Sequence, residues 1–180
     1  HQLTYMMSYL DDPKLVDHIQ QRAVIVPQPT LPANFYSLGE SSYNVDTDRV
    51  NVGYFGSFYA TRGLNDVLEA FQALPAQARK RVRFHIFTNQ SDIMNSKEKF
   101  SEIEENIVFN RYVDYFDFLS FTKLFDCLLV NDAATIGSKP VNPYLPSKVS
   151  DYLGSGTPIW GICEPGSTLS AMGDAGKLTY

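Results

Sequence analysis

Two stretches of the chain place glycine, hydroxyl and cation where a phosphate-bearing ligand would want them. The first is Gly53-Tyr54-Phe55-Gly56-Ser57-Phe58-Tyr59-Ala60-Thr61-Arg62-Gly63. Glycine lets a backbone approach a ligand closely, and a helix N-terminus favours anions. Arg62 at that point adds a bidentate phosphate contact. Taken alone, a glycine after a strand is also an ordinary turn. The stretch lacks the Gly-Lys-Ser/Thr ending of a P-loop, and the third glycine of a dinucleotide fingerprint would fall at Tyr59.

The second stretch runs from Asn142 through Pro146-Ser147-Lys148 to Asp151-Tyr152-Leu153-Gly154-Ser155-Gly156-Thr157-Pro158-Ile159. Proline suits the first turn of a helix, whose free N–H groups then point outward. Lys148 in that turn stands against the helix dipole, an arrangement that makes sense with an anion between them. Asp151 follows one turn later on the same face, where a carboxylate accepts two ribose hydroxyls. The alternative is a solvated Lys148–Asp151 pair. His1, His18 and His85 are scattered, no acidic pair or His/Cys cluster has metal-ligand spacing, and no nucleophile stands beside a base. Neither metal nor cofactor is expected.

The elements that must position these residues follow from hydrophobic periodicity. Asp11-Asp12-Pro13 opens a helix carrying Leu15, Val16 and Ile19, and residues 23–26 read as a short buried strand. Pro27, Pro29 and Pro32 break both patterns, so 27–49 reads as a linker outside the core. Strands are expected at 50–55, 82–87, 106–109, 127–130 and 157–162. Helices are expected from Leu64 to Leu74, from Asn95-Ser96 to about Glu105, over 115–125, from Pro146 to about Gly156, and over 167–172. Asp114 reads as a cap for the third of these. Such alternation predicts an α/β fold: a Rossmann-like parallel sheet with helices on both faces, spanning 50–180 and preceded by a 1–49 segment with one helix and one short strand. Ligands of such sheets bind at the carboxyl ends of the strands, which singles out the loops 56–63, 88–95 and 131–148.

Residues 50–162 resemble the C-terminal, donor-binding domain of retaining glycosyltransferases of the GT-B fold, the glycosyltransferase family 4 type. The family's Gly-Arg-Leu-x-x-x-Lys-Gly loop is matched by Gly56 to Gly63, and its Pro-Ser-Lys-x-x-acid-Tyr-Leu block by Pro146 to Ile159. The resemblance implies a diphosphate contact for Arg62, in the place of the family's lysine, and a ribose contact for Asp151, the second acid of a paired-glutamate motif. It places Gly56, Ser147 and Lys148 near the phosphates or the donor sugar, with Arg62 and Lys148 stabilising the leaving diphosphate. Two positions depart from the pattern. Ser57 replaces the motif's arginine, and no carboxylate stands near Pro143, where the first acid belongs; Asn142 offers a weaker hydrogen bond to the sugar. The implied partners are a nucleotide-diphosphate-sugar and a glycan or lipid-linked acceptor, the latter on an N-terminal domain absent from this chain. Polysaccharide biosynthesis at the cytoplasmic side, with peripheral membrane association of the full enzyme, is the corresponding expectation.

Composition sets the remaining bounds. The net charge of -5 argues against a nucleic-acid partner, which calls for a basic surface. Cys127, in an apolar run, and Cys163 are too few for a disulfide scaffold and fit a reducing cytoplasm. No signal peptide is visible, and no apolar run approaches the ~20 residues needed to span a bilayer. The opening His1 and the raw ending Gly176 to Tyr180 suggest a chain cut from something longer. Three rivals stand beside the glycosyltransferase resemblance. A nucleotide-linked oxidoreductase domain lacks its glycine fingerprint, and a receiver-like domain with Asp132 as phosphate acceptor lacks its acidic pair. A catalytically inactive glycosyltransferase-like module is compatible with the two departures.

Overall fold

A computed structural model describes residues 2–26, 28–39 and 42–174. His1, Pro27 and the ending Gly176 to Tyr180 lie outside them. Five parallel strands, β1 (Val50–Phe55), β2 (Val82–Phe87), β3 (Ile107–Asn110), β4 (Cys127–Asn131) and β5 (Ile159–Ile162), form one sheet in the order β3-β2-β1-β4-β5. The order reverses between β1 and β4, the point at which a doubly wound sheet opens a crevice. The Rossmann-like α/β expectation is met.

Alternation along each strand divides the core in two, because successive side chains point to opposite faces. The helices in chain order are α1 (Gln2–Met7), α2 (Pro13–Arg22), α3 (Asn65–Gln72), α4 (Ala76–Arg79), α5 (Gln90–Lys99), α6 (Tyr115–Thr122), α7 (Lys148–Ser155) and α8 (Thr168–Asp174). Val52, Tyr54, Phe84, Ile86 and Leu129 pack with Leu64, Leu68 and Phe71 on the face of α3 and α5. Phe55, Phe87, Leu128 and Val130 pack with Phe118, Leu119 and Tyr152, under α6 (Tyr115–Thr122) and α7 (Lys148–Ser155). Gly53 belongs to the second face: a Cβ there would lie 2.5 Å from the Phe125 ring. Cys127 sits half-buried against the first face, and burial pushes its thiol up to about 11.

The boundaries of β1 and β2 match the sequence expectation, and β3 and β5 match within two residues. Asp12 caps the helix Pro13–Arg22 by accepting a hydrogen bond from Lys14 N at 2.9 Å. Elsewhere the expectations need correction. Val24, Ile25 and Val26 form no strand and are 78 to 83% exposed, since no sheet edge runs beside them to complete a ladder. Helix α5 starts at Gln90 instead of Asn95. Asn89 Oδ1 accepts from Asp92 N at 2.9 Å, and this cap fixes the start a turn and a half earlier. The following 101–106 is a 3-10 segment. Helix α6 ends at Thr122, its chain turning so that Phe125 reaches the core; Asp114 occupies its N-cap without a side-chain bond. Helix α7 begins at Lys148, two residues after Pro146. It closes on Gly156, whose left-handed φ of 76° suits glycine.

The segment before β1 is not merely a linker. Tyr36, in the 3-10 turn Ala33–Ser37, is 2% exposed, and its hydroxyl donates to Asp151 O at 2.7 Å. Gly154 makes room for it, since a Cβ there would stand 2.1 Å from the Tyr36 hydroxyl. Tyr43 packs on Phe87 and Phe121 and bonds His85 Nδ1 at 2.7 Å. His85 Nε2 lies 3.0 Å from Asn51 Oδ1. Because Asn51 Nδ2 donates to Asp46 O and Arg49 O, its Oδ1 is the acceptor, which assigns the His85 proton to Nε2 and makes Tyr43 the donor to Nδ1. The network holds His85 neutral, with burial and the nearby Arg83 lowering its pKa to about 4.

Candidate anion site at the carboxyl edge of the sheet

Strands β1 and β4 deliver two loops to the N-terminus of α7, and between them lies a cleft of about 30 Å³. Gly56, Arg62, Ser147 and Lys148 line it, with Tyr54 and Tyr152 contributing to its walls. Gly56 is anchored by its amide, which donates to Phe87 O at 2.9 Å. A Cβ at Gly56 would stand 3.1 Å from Lys148 Nζ, so the absence of a side chain there admits the ammonium against the backbone.

The electrostatics of the cleft are unbalanced. Burial lowers the pKa of Lys148, and the Arg62 guanidinium lowers it further, with Asp151 opposing. Neither cation belongs to an ion pair among the described residues. Arg62 instead stands over the Tyr59 ring, 5.2 Å from its centroid, in a backbone bridge that pairs residues 59 and 62. Two half-buried cations brought together beside a helix N-terminus are stabilised by an anion placed between them. The loop before Arg62 is shaped from α5: Asp92 Oδ2 accepts from Phe58 N at 2.8 Å, Thr88 Oγ1 at 2.6 Å and Asn89 Nδ2 at 2.7 Å.

The other three sequence-derived site residues lie outside this cleft. The Ser57 hydroxyl bonds that of Tyr112. Asp151 Oδ1 accepts from the Tyr115 hydroxyl at 2.7 Å, on the α6 side of α7, and burial together with this carboxylate pushes Tyr115 up to about 12. Asn142 is buried and fully committed within its loop, donating to Ala133 O at 3.0 Å and to Glu164 Oε2 at 2.9 Å while accepting from Tyr144 N at 3.0 Å.

On the other side of Arg62, sequence reasoning weighed Asp132 only as a receiver-like phosphate acceptor and missed Glu164. A second, larger cavity of about 280 Å³ opens there, lined by Tyr59, Arg62, Asp66, Asn131, Asp132 and Glu164 among others. Glu164 accepts from Thr135 N at 2.5 Å, Ile136 N at 3.0 Å, Thr135 Oγ1 at 2.6 Å and Asn142, so one carboxylate pins the loop after β4. Burial pushes Glu164 up, and these bonds reverse the balance, holding it below the usual carboxylate range. Asp132 Oδ2 accepts from Glu164 N at 3.0 Å, and burial raises the pKa of this carboxyl, opposed by a hydrogen bond to the Ser167 side chain. The available signal was positional: Asp132 directly follows β4, and Glu164 stands two residues after the end of β5. Among the described residues no group of three or more His, Cys, Asp or Glu side chains is placed to hold a metal ion, and no helix is long and apolar enough to cross a membrane.

No known family profile matches the chain, and no curated protein does. Solved structures do match. The fold superposes on WaaG, a glycosyltransferase involved in lipopolysaccharide biosynthesis, with a TM-score of 0.57 at 17% identity, covering 93% of this chain and 46% of that one. For AviGT4, a glycosyltransferase involved in avilamycin A biosynthesis, the TM-score is 0.54 at 17% identity, over 84% of this chain and 41% of that one. For HepE from Anabaena, solved in complex with UDP-glucose, it is 0.50 at 12% identity, over 82% and 47%. The chain therefore has the Rossmann-like α/β fold found in these three structures. It spans less than half the length of each of the three.

Proposed function

We propose that this chain is the donor-binding, C-terminal half of a retaining GT-B glycosyltransferase of the family 4 type, which takes its sugar from a nucleotide-diphosphate-sugar. The observation that carries this reading is the convergence of Arg62 and Lys148, neither paired with an acid, on Gly56 at the first turn of α7. The diphosphate bridges the two cations, and the UDP-glucose bound to HepE supports a nucleotide sugar as the ligand class.

The chemistry follows from charge. As the bond between the anomeric carbon and the β-phosphate oxygen breaks, the electron pair stays with that oxygen. Arg62, Lys148 and the free N–H groups at the start of α7 stabilise the departing diphosphate by preorganised electrostatics. Asp151, held by Tyr115, presents its second oxygen to the ribose. The acceptor, a glycan or lipid-linked acceptor held by a second half such as the one that completes the longer neighbours, bonds its hydroxyl oxygen to the anomeric carbon and gives up its proton to the departing diphosphate. On its own the chain binds nucleotide and transfers no sugar.

Calorimetric titration with UDP, GDP and ADP tests the reading. Binding of one of them, lost in Arg62→Ala and Lys148→Ala, is the expected result. The absence of binding to any of the three sinks it. A catalytically inactive module remains as a second reading, because Asn142 is consumed inside its loop and Ser57 is engaged by Tyr112, leaving no free acid or cation at those two positions. Sugar transfer by the complete two-half enzyme decides between the two.

A further inference from the structure

Asp92, half-buried in the first turn of α5, gathers three donors on one oxygen: Thr88 Oγ1 at 2.6 Å, Asn89 Nδ2 at 2.7 Å and Phe58 N at 2.8 Å. The first two are neighbours in its own loop and, with the Asn89 cap, fix where the carboxylate stands. The third comes from the loop after β1, 34 residues earlier, and a helix start has no need of it.

Phe58 immediately precedes the turn that presents Arg62. Tyr59 N donates to Arg62 O at 2.5 Å and Arg62 N returns a bond to Tyr59 O at 3.0 Å, so the turn is closed on itself, and the Arg62 guanidinium rests on the Tyr59 ring. The other anchors of the loop are neutral: Gly56 N on Phe87 O, the hydroxyl pair of Ser57 and Tyr112, Ala134 N on Thr61 O, and Asn131 Nδ2 on Gly63 O. Asp92 supplies the one carboxylate among them, and a charge-assisted bond is about twice as strong as a neutral one.

Resting on the donor reading above, we propose that Asp92 is a positioning residue, which by holding Phe58 N sets the turn so that the Arg62 guanidinium meets the diphosphate. Its own charge works against that ligand and is felt at the cleft wall. Burial pushes the Tyr54 hydroxyl up to about 12, with Arg62 opposing and Asp92 adding to the rise. Two effects of one side chain therefore carry opposite signs. As a negative charge near an anion site Asp92 weakens binding, and as the anchor of the Arg62 turn it strengthens binding. A planar guanidinium needs a fixed pose to make two parallel bonds, whereas an ammonium is a point charge on a flexible stem. Placement by Asp92 thus matters more to Arg62 than to a lysine in its position.

Calorimetry with whichever of UDP, GDP or ADP binds tests this on the chain as it stands. Asp92→Asn, which keeps the shape and removes the charge, is expected to weaken binding about five-fold, and Asp92→Ala about twenty-fold. Relief of repulsion alone would tighten binding in both. In the Arg62→Lys background each loss should shrink to less than about two-fold, because the paired changes act on one contact. Tighter or unchanged binding in the Asp92 variants overturns the proposal and leaves the donor reading standing. So does an undiminished loss in the Arg62→Lys background, which makes Asp92 a general support of the fold. If Asp92→Ala does not fold, Asp92→Asn carries the same cycle. Failure of every diphosphate to bind overturns both the proposal and the donor reading.

Discussion

The two cavities flanking Arg62 are built on opposite principles. In the smaller one, Arg62 and Lys148 are held close by the fold with no acid to neutralise them, and Lys148 loses basicity for it. In the larger one, acids dominate, with Glu164 saturated by donors from a single loop and Asp132 held by Glu164 N and the Ser167 side chain. The first concentrates unneutralised positive charge for a ligand. The second spends its negative charge on ordering the protein. A sheet edge thus carries binding groups and scaffolding groups side by side, and counting bonds separates them better than residue type does.

The comparison is open to attack at four points. Lys148→Ala should weaken nucleoside diphosphate binding by about 10- to 100-fold, the worth of a charge-assisted contact, while leaving the melting temperature nearly unchanged. A large loss of stability without loss of affinity would make Lys148 a scaffold residue. Glu164→Ala should do the reverse, costing about 2 kcal/mol of stability by stripping the loop after β4 of its acceptor. Hydrogen exchange at the Thr135 and Ile136 amides should quicken, because both donate to Glu164. The folded-state pKa of Glu164 is below its ordinary value, so its contribution is present above about pH 4.5 and fades as pH falls through the folded value.

A third attack falls on His85. Its folded pKa of about 4 lies under the ordinary 6.5, so its stabilising contribution is complete above pH 6.5 and disappears as pH drops towards 4. Denaturant unfolding across that window should show the loss, and His85→Gln should flatten it. Last and smallest, Asp151→Asn should weaken diphosphate binding about three-fold by removing a charge-assisted ribose contact. An unchanged affinity would confine Asp151 to its bond with Tyr115.

The sequence made the sheet readable because its signal is local. The run Val50 to Phe55 and the run Val82 to Phe87 announce themselves by continuous apolar character, and Asp12-Pro13 announces a helix start. The four residues that meet at the smaller cleft were legible for the same reason, since each flanks a recognisable strand end or helix start. Asp132 was legible at its strand end, but its meeting with Glu164 was not. They come together only because β4 and β5 pair in the register Asn131 with Ile162, a fact of tertiary structure that no spacing encodes. Tyr36 and Tyr43 were hidden differently: they sit in a proline-rich stretch whose local pattern says loop, while burial against α7 and His85 says core. Val24 to Val26 are the converse, apolar in sequence and exposed in space. Asn142 shows a further limit, because a side chain near a motif position can be spent on holding its own loop.

The plug formed by Tyr36 in the notch at Gly154 has a mechanical consequence. The tyrosine hydroxyl grips the backbone of α7 at Asp151, one turn beyond Lys148 and immediately before Tyr152. A pull on the segment ahead of Tyr36 is therefore delivered to the helix that carries the ammonium. The segment and α7 are thus one mechanical unit, and the stance of Lys148 against Gly56 depends on a tyrosine more than a hundred residues earlier in the chain.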